Sequence, residues 1–324
     1  MKKVLVCGAG GFIGSHLVTF LKKKGFWVRG VDLKLPEFGN TDADDFQILD
    51  LRLLENCQKA VDGMSVVYQL AADMGGALYV FTKENDADIM HNSALINLHM
   101  AKLAVEHKIE KMFYSSSACI YPEHNQMDPN NPNCAEDSAY PANPDSCYGQ
   151  EKLFSEGMYM AFHRNYKLPI HIARFHNIFG ECGSWNNGKE KSPAALSRKI
   201  AEAKNGDTIE IWGPGTQTRS FLYIEECLHG IDLLMNSTWT GPVNIGSTEK
   251  ISINNLAYLI MDIAGKKLKI KNVPGPMGVM GRNSDNKLIQ ERLGWAPSKP
   301  LRYGMEKLYA WIEKQVKAKN EQIN

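Results

Sequence analysis

Tyr148 and Lys152 stand four residues apart in the stretch Tyr148-Gly149-Gln150-Glu151-Lys152, a step that puts both side chains on one face of a helix. A tyrosine hydroxyl, with a reference pKa of about 10, is a poor base at neutral pH. A neighbouring ammonium stabilises the phenolate and brings that hydroxyl toward use as a proton acceptor. The spacing alone also fits an ordinary exposed helix pair. Ser115-Ser116-Ser117, which closes a predicted strand upstream, favours the chemical reading.

A second constellation opens the chain. Gly8-Ala9-Gly10-Gly11-Phe12-Ile13-Gly14 follows an apolar run and begins a helical pattern. Glycines there permit a tight turn and let a pyrophosphate approach the backbone at a helix N-terminus. Gly8, Gly11, Phe12, Ile13 and Gly14 are therefore candidate dinucleotide contacts. Asp32 ends the second predicted strand, where a carboxylate can accept bonds from ribose hydroxyls. Its charge repels a 2′-phosphate, which favours NAD over NADP. Asp50 and Leu51, after the third strand, are placed to meet the adenine.

Positioning these groups takes a regular scaffold. Val4–Val6, Trp27–Val31, Phe46–Leu49, Val66–Leu70, Met112–Ser115 and Ile170–Ala173 read as buried strands. Amphipathic stretches at Ser15–Lys24, Asp88–His107 and Gly149–Tyr166 lie between several of them. This alternation predicts an α/β fold, a Rossmann-type doubly wound parallel sheet. Residues 1–175 are expected to form the NAD-binding domain. Residues 176–324 are expected to form mostly a smaller mixed α/β substrate lobe, some segments returning to the first domain. There, Thr208–Trp212, Val243–Ile245 and Ile270–Val273 read as strands, and Ala194–Ala203, Ile224–Met235, Ile253–Ala264 and Leu301–Lys319 as helices. The Pro-, Asn- and Asp-rich segment Pro122–Pro144 fits either an ordered loop beside a site or a flexible surface loop.

Composition narrows the function classes. The 37 basic and 36 acidic side chains nearly balance, which gives no reason to expect a nucleic-acid or membrane-surface partner. Seven scattered cysteines without a C-x-x-C pair fit a reduced compartment and no structural metal site. Lys2 and Lys3 before an apolar run resemble a signal peptide only until the glycines interrupt it, and no apolar run reaches the ~20 residues of a membrane span. The expectation is a soluble, cytoplasmic protein.

Together these residues resemble the extended short-chain dehydrogenase/reductase family, over nearly the whole chain. In that family serine, tyrosine and lysine bind and deprotonate a sugar hydroxyl while its carbon gives hydride to NAD. The resemblance assigns those roles to Ser117, Tyr148 and Lys152. Arg174–Gly180 and Gly215–Phe221 resemble the family's nucleotide-sugar segments, with Glu181 where many members have proline and Ser220 where many have aspartate. His176, inside the first segment, is the one histidine the resemblance singles out for testing.

Longer stretches are similar to the branch of that family that inverts GDP-mannose at carbons 3 and 5. They are Ala71–Gly76, Ser116–Glu123, Gly188–Ala195 and Gly281–Asn286. The likeness implies that Cys119 and Lys191 form an acid–base pair. Read without it, Cys119 is a small buried residue and Lys191 a solvated one. It further implies that Ala71, with Tyr148 and Lys152, faces NAD. Gly75, Ser117, Ala118, Cys119, Asn177, Glu190, Lys191, Ser192, Lys199, Gln217, Thr218, Arg219 and Arg282 are expected to face the substrate, the arginines suiting a diphosphate. A homodimer through Asp88–His107 and Gly149–Tyr166 is expected. A 4,6-dehydratase is disfavoured because Ala118-Cys119-Ile120 stands where an acid pair belongs. A 4-epimerase would leave Cys119 and Lys191 idle, and a non-catalytic NAD-binding protein predicts a damaged triad.

Overall fold

Short runs of β-branched residues with little polar alternation must be buried on both faces. In the computed structural model, which describes residues 2–323, they do so in one seven-stranded parallel sheet. Six of its strands come early in the chain: β1 (Lys3–Cys7), β2 (Trp27–Asp32), β3 (Asp45–Ile48), β4 (Val66–Gln69), β5 (Lys111–Ser117) and β6 (Ile170–Phe175). Four short strands follow, β7 (Ile178–Phe179), β8 (Thr208–Trp212), β9 (Thr218–Ser220) and β10 (Leu222–Tyr223). Then β11 (Pro242–Ile245) returns to pair with β6 as the last strand of the main sheet. The order is β11-β6-β5-β4-β1-β2-β3. Connections leave β1 in both directions, so a crevice opens beyond the carboxyl ends of β1 and β4, where ligands bind in open α/β sheets.

Helices cover both faces. On one face, α1 (Phe12–Lys23) buries Leu17, Val18 and Leu21 against Val4 and Val6. On the other, α2 (Leu54–Val61) and, after the short α3 (Ala77–Phe81), α4 (Asp86–Glu106) and α5 (Cys147–Tyr166) pack on Leu5, Cys7 and Val67. The first cluster continues into α6 (Ser192–Glu202), α7 (Ile224–Asn236) and α8 (Ile253–Ala264). A second layer is built from β12 (Lys250–Ser252) and β14 (Gly281–Arg282) on either side of β9, and from β13 (Lys269–Val273) beside β8. Two more helices, α9 (Lys287–Leu293) and α10 (Leu301–Ile323), complete the chain. The outer limits of the two expected domains, Met1 and Asn324, lie outside the described residues.

Several features differ from the sequence expectation, and one alternative it left open is decided. The helix α2 was not foreseen, because eight residues hold too few turns to show a period. Helix α5 begins two residues before Gly149, where Ser146 caps it by accepting the Gly149 N–H at 3.2 Å. The Pro122–Pro144 segment is the ordered alternative. It carries 3₁₀ turns at Glu123–Gln126 and Glu136–Ala139, and the Glu123 N–H donates to the Asn143 carbonyl at 2.8 Å. No helix among the described residues is long and apolar enough to cross a membrane.

Candidate active site

The glycine turn sits at the head of α1, against β1 and β4. Gly8 has φ +80°, a left-handed conformation that a side chain strains. A Cβ on Gly14 would collide with the Gly8 carbonyl oxygen, so α1 can start this close to β1 only with glycine there. The Gly10 N–H donates to Asp32 Oδ2 at 2.9 Å and the Leu33 N–H to Asp32 Oδ1 at 2.7 Å, which fixes the carboxylate at the end of β2.

Above this turn lies a cavity of about 590 Å³. Gly8, Gly11, Phe12, Ile13, Gly14, Asp32, Asp50, Leu51, Ala71, Tyr148 and Lys152 all line it, and its glycine floor leaves the backbone open to a ligand. That floor and the carboxylate beyond it fit NAD: a pyrophosphate at the α1 N-terminus and a ribose at Asp32. Sequence reasoning missed Lys34 and Arg52, which also line the cavity. Arg52 grips Asp50 with an N–O distance of 2.6 Å. No periodicity or motif marks either one.

A second cavity of about 410 Å³ adjoins the first. Ser117, Tyr148, Phe175, Gly75 and Lys191 border both, so these residues form the junction. Ala118, Cys119, Asn177, Glu190, Ser192, Lys199, Gln217, Arg219 and Arg282 line the second cavity. Thr218 does not. Its hydroxyl donates to the Pro129 carbonyl at 2.6 Å and its backbone N–H to Met280 at 2.8 Å, so it fastens β9 instead of facing a ligand. His176 is likewise turned away. It is fully buried, with Nε2 2.9 Å from Asn244 Oδ1 on β11, and burial lowers its pKa to about 3.

The junction is built by β5 and α5. Ser117 ends β5 and accepts the Cys119 N–H at 3.2 Å, which curls Ala118–Ile120 into a 3₁₀ turn. A Cβ on Gly149 would strike the Cys119 carbonyl oxygen, so glycine lets the first turn of α5 lie against that curl. Tyr148 and Cys119 are thereby brought to one wall. Lys152, fully buried, donates to the Ser115 carbonyl at 2.9 Å and lies 5.7 Å from the Tyr148 ring centre. Burial pushes the Tyr148 hydroxyl above its usual range, partly offset by a hydrogen bond with Ser117. The lowering expected from Lys152 is not seen, because desolvation of the phenolate is the largest influence on Tyr148.

Lys191 is exposed, but the surface it offers faces the two cavities. Desolvation lowers its pKa, while the nearby Cys119 and Cys227 oppose the shift. Lys199, its pKa also lowered by desolvation, donates to the Glu210 carbonyl at 2.6 Å. Gln217 donates to Trp212, and the Asn177 amide to Ser220. Oε2 of Glu190 and Oε1 of Gln217 have no partner among the described residues, so each retains an acceptor for a ligand. Arg219 donates to the carbonyls of Thr218, Met277 and Val279. Desolvation, with Arg282 close by, holds its pKa down to about 10. Gln126 and Asp145, which hold Arg282, were not foreseen. Gln126 lies in a segment without periodicity, and Asp145 directly follows that segment.

This arrangement has relatives. GDP-mannose 3,5-epimerase of Arabidopsis thaliana is 43% identical over 99% of this chain and 86% of its own length. GDP-mannose 3,5-epimerase 1 of Oryza sativa subsp. japonica is 41% identical over 99% and 84%. Among solved structures, UDP-glucuronic acid 4-epimerase from Bacillus cereus, in complex with UDP-glucuronic acid and NAD, superposes with a TM-score of 0.83. It is 25% identical and covers 97% of this chain and 100% of that one. UDP-glucose 4-epimerase of Thermus thermophilus, at 22% identity and a TM-score of 0.82 over 96% of this chain and 99% of its own, shares the fold. Residues 4–246, from β1 through the last strand of the main sheet, match the family model for these enzymes. With the glycine turn, Asp32 and the Ser117–Tyr148–Lys152 wall carried inside that span, the chain belongs to the NAD dependent epimerase/dehydratase family.

Proposed function

We propose that this protein epimerises GDP-mannose at carbons 3 and 5, giving GDP-L-galactose, and GDP-L-gulose when carbon 5 alone inverts. The observation that carries the reading is the junction itself. Cys119 and Lys191 border the same chamber as Ser117 and Tyr148, and simple oxidation at one carbon needs neither. The relatives at 41–43% identity support the choice of sugar nucleotide.

NAD supplies the reversible oxidation at carbon 4. Ser117 and Tyr148 hold the 4-hydroxyl, and Tyr148 takes its proton in the phenolate form, which the charge of the neighbouring Lys152 favours against the burial that opposes it. Hydrogens on carbons 3 and 5, beside a ketone, are acidic. Inversion then requires a base on one face and an acid on the other. Cys119 and Lys191 fill those roles, and the lowered proton affinity of Lys191 brings an amine toward neutral-pH exchange. Glu190 and Gln217, each with a buried side-chain oxygen that has no partner among the described residues, orient the sugar nucleotide. We further propose a cytoplasmic homodimer. All seven thiols are free, as a reducing compartment keeps them, and α5 carries exposed apolar residues on its outer side.

Turnover in deuterated water tests the reading. A thiol or ammonium exchanges its proton with solvent, so deuterium enters at carbon 5, and at carbon 3 in the doubly inverted product. Carbon 4 stays unlabelled. Mass spectrometry counts the deuterons and proton NMR places them. Product inverted only at carbon 4, without label, would make the protein a 4-epimerase. Loss of water with label at carbon 5 and the hydrogen of carbon 4 carried unexchanged to carbon 6 would make it a dehydratase.

A further inference from the structure

The segment between β5 and α5 carries two groups, Gln126 and Asp145, that hold the arginine beside Cys119 and that the reaction scheme above leaves without a task. Arg282, on β14 and 5% exposed, donates from three nitrogens at once. Nε reaches Gln126 Oε1 at 2.6 Å, one terminal nitrogen reaches Asp145 Oδ2 at 2.6 Å, and the other points at Cys119 Sγ at 3.1 Å. Gln126 is fixed in turn, its amide donating to the carbonyls of Tyr121 and Pro122. Asp145 directly precedes the cap of α5, and its side chain is 3% exposed. A guanidinium is a rigid planar fork. With Gln126 and Asp145 anchoring two of its nitrogens, the direction of the third is determined.

We propose that Asp145 and Gln126 are positioning residues for the inversion step, holding Arg282 so that it meets the Cys119 sulfur each time that sulfur changes protonation. The proposal rests on Cys119 being a proton-transfer group. When Cys119 gives its proton to the sugar carbon, sulfur keeps the S–H electron pair and becomes a thiolate facing the guanidinium. When it accepts a proton from carbon, a sulfur lone pair forms the S–H bond and the carbon's electrons pass into the enolate. Arg282 keeps its own protons in both directions, so the step needs no co-reactant. Hydrogen bonds from a charged donor are shorter and stronger than neutral ones, which suits a group waiting for a thiolate.

The surroundings agree. Burial alone would weaken the hold of Arg282 on its proton, but Cys119, Asp145 and Cys134 together raise its pKa above the ordinary guanidinium value. Tyr148 and Lys152 on α5, Lys191 before α6, and Arg219 on β9 also lie where a charge on the Cys119 sulfur would act on them. A carboxylate this close repels a thiolate, so what Asp145 contributes to Cys119 is geometric: it keeps Arg282 in place.

Charge and position are separated by following alkylation of Cys119 with iodoacetamide against pH. Peptide mapping resolves Cys119 from the other cysteines. Asp145→Ala frees the guanidinium, and the midpoint should rise by about one pH unit. Epimerisation should fall about tenfold while transient nicotinamide reduction persists. Asp145→Asn keeps an acceptor for the same N–H and should hold the midpoint at or below the parent's. Gln126→Met removes the other anchor without touching α5 and should also raise it. A parent-like profile in Asp145→Ala or in Gln126→Met overturns the proposal, as does an equal rise in Asp145→Asn. Should Asp145→Ala fail to fold, Gln126→Met decides. Alkylation does not depend on turnover. If no nucleotide sugar is epimerised while the midpoints move as stated, the proposed function falls, and what stands is that Asp145 and Gln126 hold Arg282 against the Cys119 sulfur.

Discussion

Tyr148 packs against Val80 and Ile89, and its hydroxyl is the one polar atom it brings to the junction. Tyr148→Phe therefore removes a proton acceptor and leaves the packing. Epimerisation and the transient absorbance of reduced nicotinamide on adding GDP-mannose should both disappear. Cys119→Ala and Lys191→Ala act one step later. General acid–base groups typically contribute about 10²–10⁴-fold, so epimer formation should fall by that order while the transient absorbance survives. Stopped-flow absorbance with product chromatography separates the two patterns. Loss of the transient in Cys119→Ala would tie Cys119 to the oxidation, and parent rates in both variants would remove the pair from the mechanism.

At the scale of elements, the seam between β6 and β11 depends on a buried polar cluster. Asn244 Oδ1 accepts from the Tyr121 hydroxyl at 2.6 Å and takes the ring nitrogen of His176, while Arg174 pairs with Glu156 of α5. His176 stays neutral because burial lowers its pKa to about 3, whereas in the unfolded chain it titrates near 6.5. Below about pH 6.5 the unfolded state therefore binds a proton that the folded state refuses, and stability falls as pH falls toward 3. From about pH 7 to about pH 5 this one group removes about 2 kcal/mol. His176→Gln keeps an N–H donor and does not titrate, so denaturant unfolding at the two pH values should show the parent losing more stability than the variant. Parallel losses would mean that His176 is not held neutral. The contrast also marks how far the sequence could be read. Strands such as Thr208–Trp212 and Ile170–Ala173 were legible because burial on a sheet leaves a local apolar pattern. The glycine turn, Asp32 and the Tyr148–Lys152 step were legible because their partners lie a fixed number of residues away. The inward turn of His176, and the convergence of Gln126, Asp145 and Arg282 on Cys119, were not. Those contacts join residues up to 163 positions apart, and no local pattern records them.

For the whole molecule, the two sides of α5 face different surroundings. Tyr148, Lys152, Ser155, Glu156 and Tyr159 form its buried side, which carries the site and seals it against α4 and the sheet. Phe154, 53% exposed, lies on the other side, where a shallow cavity of about 670 Å³ runs past Tyr140, Pro144, Leu153, Gly157 and Met158. A Cβ on Gly157 would meet nothing within 4 Å, so the groove is open enough for a second chain to approach the helix backbone. Leu98 on α4 adds another half-exposed apolar side chain. Exposed apolar surface beside a catalytic helix is stabilised by covering it, and a second copy across a two-fold axis covers both surfaces at once. Analytical ultracentrifugation at micromolar concentration should therefore find a dimer. Phe154→Glu adds a charge that a monomer leaves in water but a dimer must bury without a partner, a cost of several kcal/mol. That variant should sediment as a monomer with an unchanged far-ultraviolet circular dichroism spectrum. Its epimerisation rate should drop as well, because α5 loses the support of its partner helix and the same rigid helix carries Tyr148 on its other side. A parent that sediments as a monomer, or a Phe154→Glu variant that remains a dimer, would place the interface elsewhere.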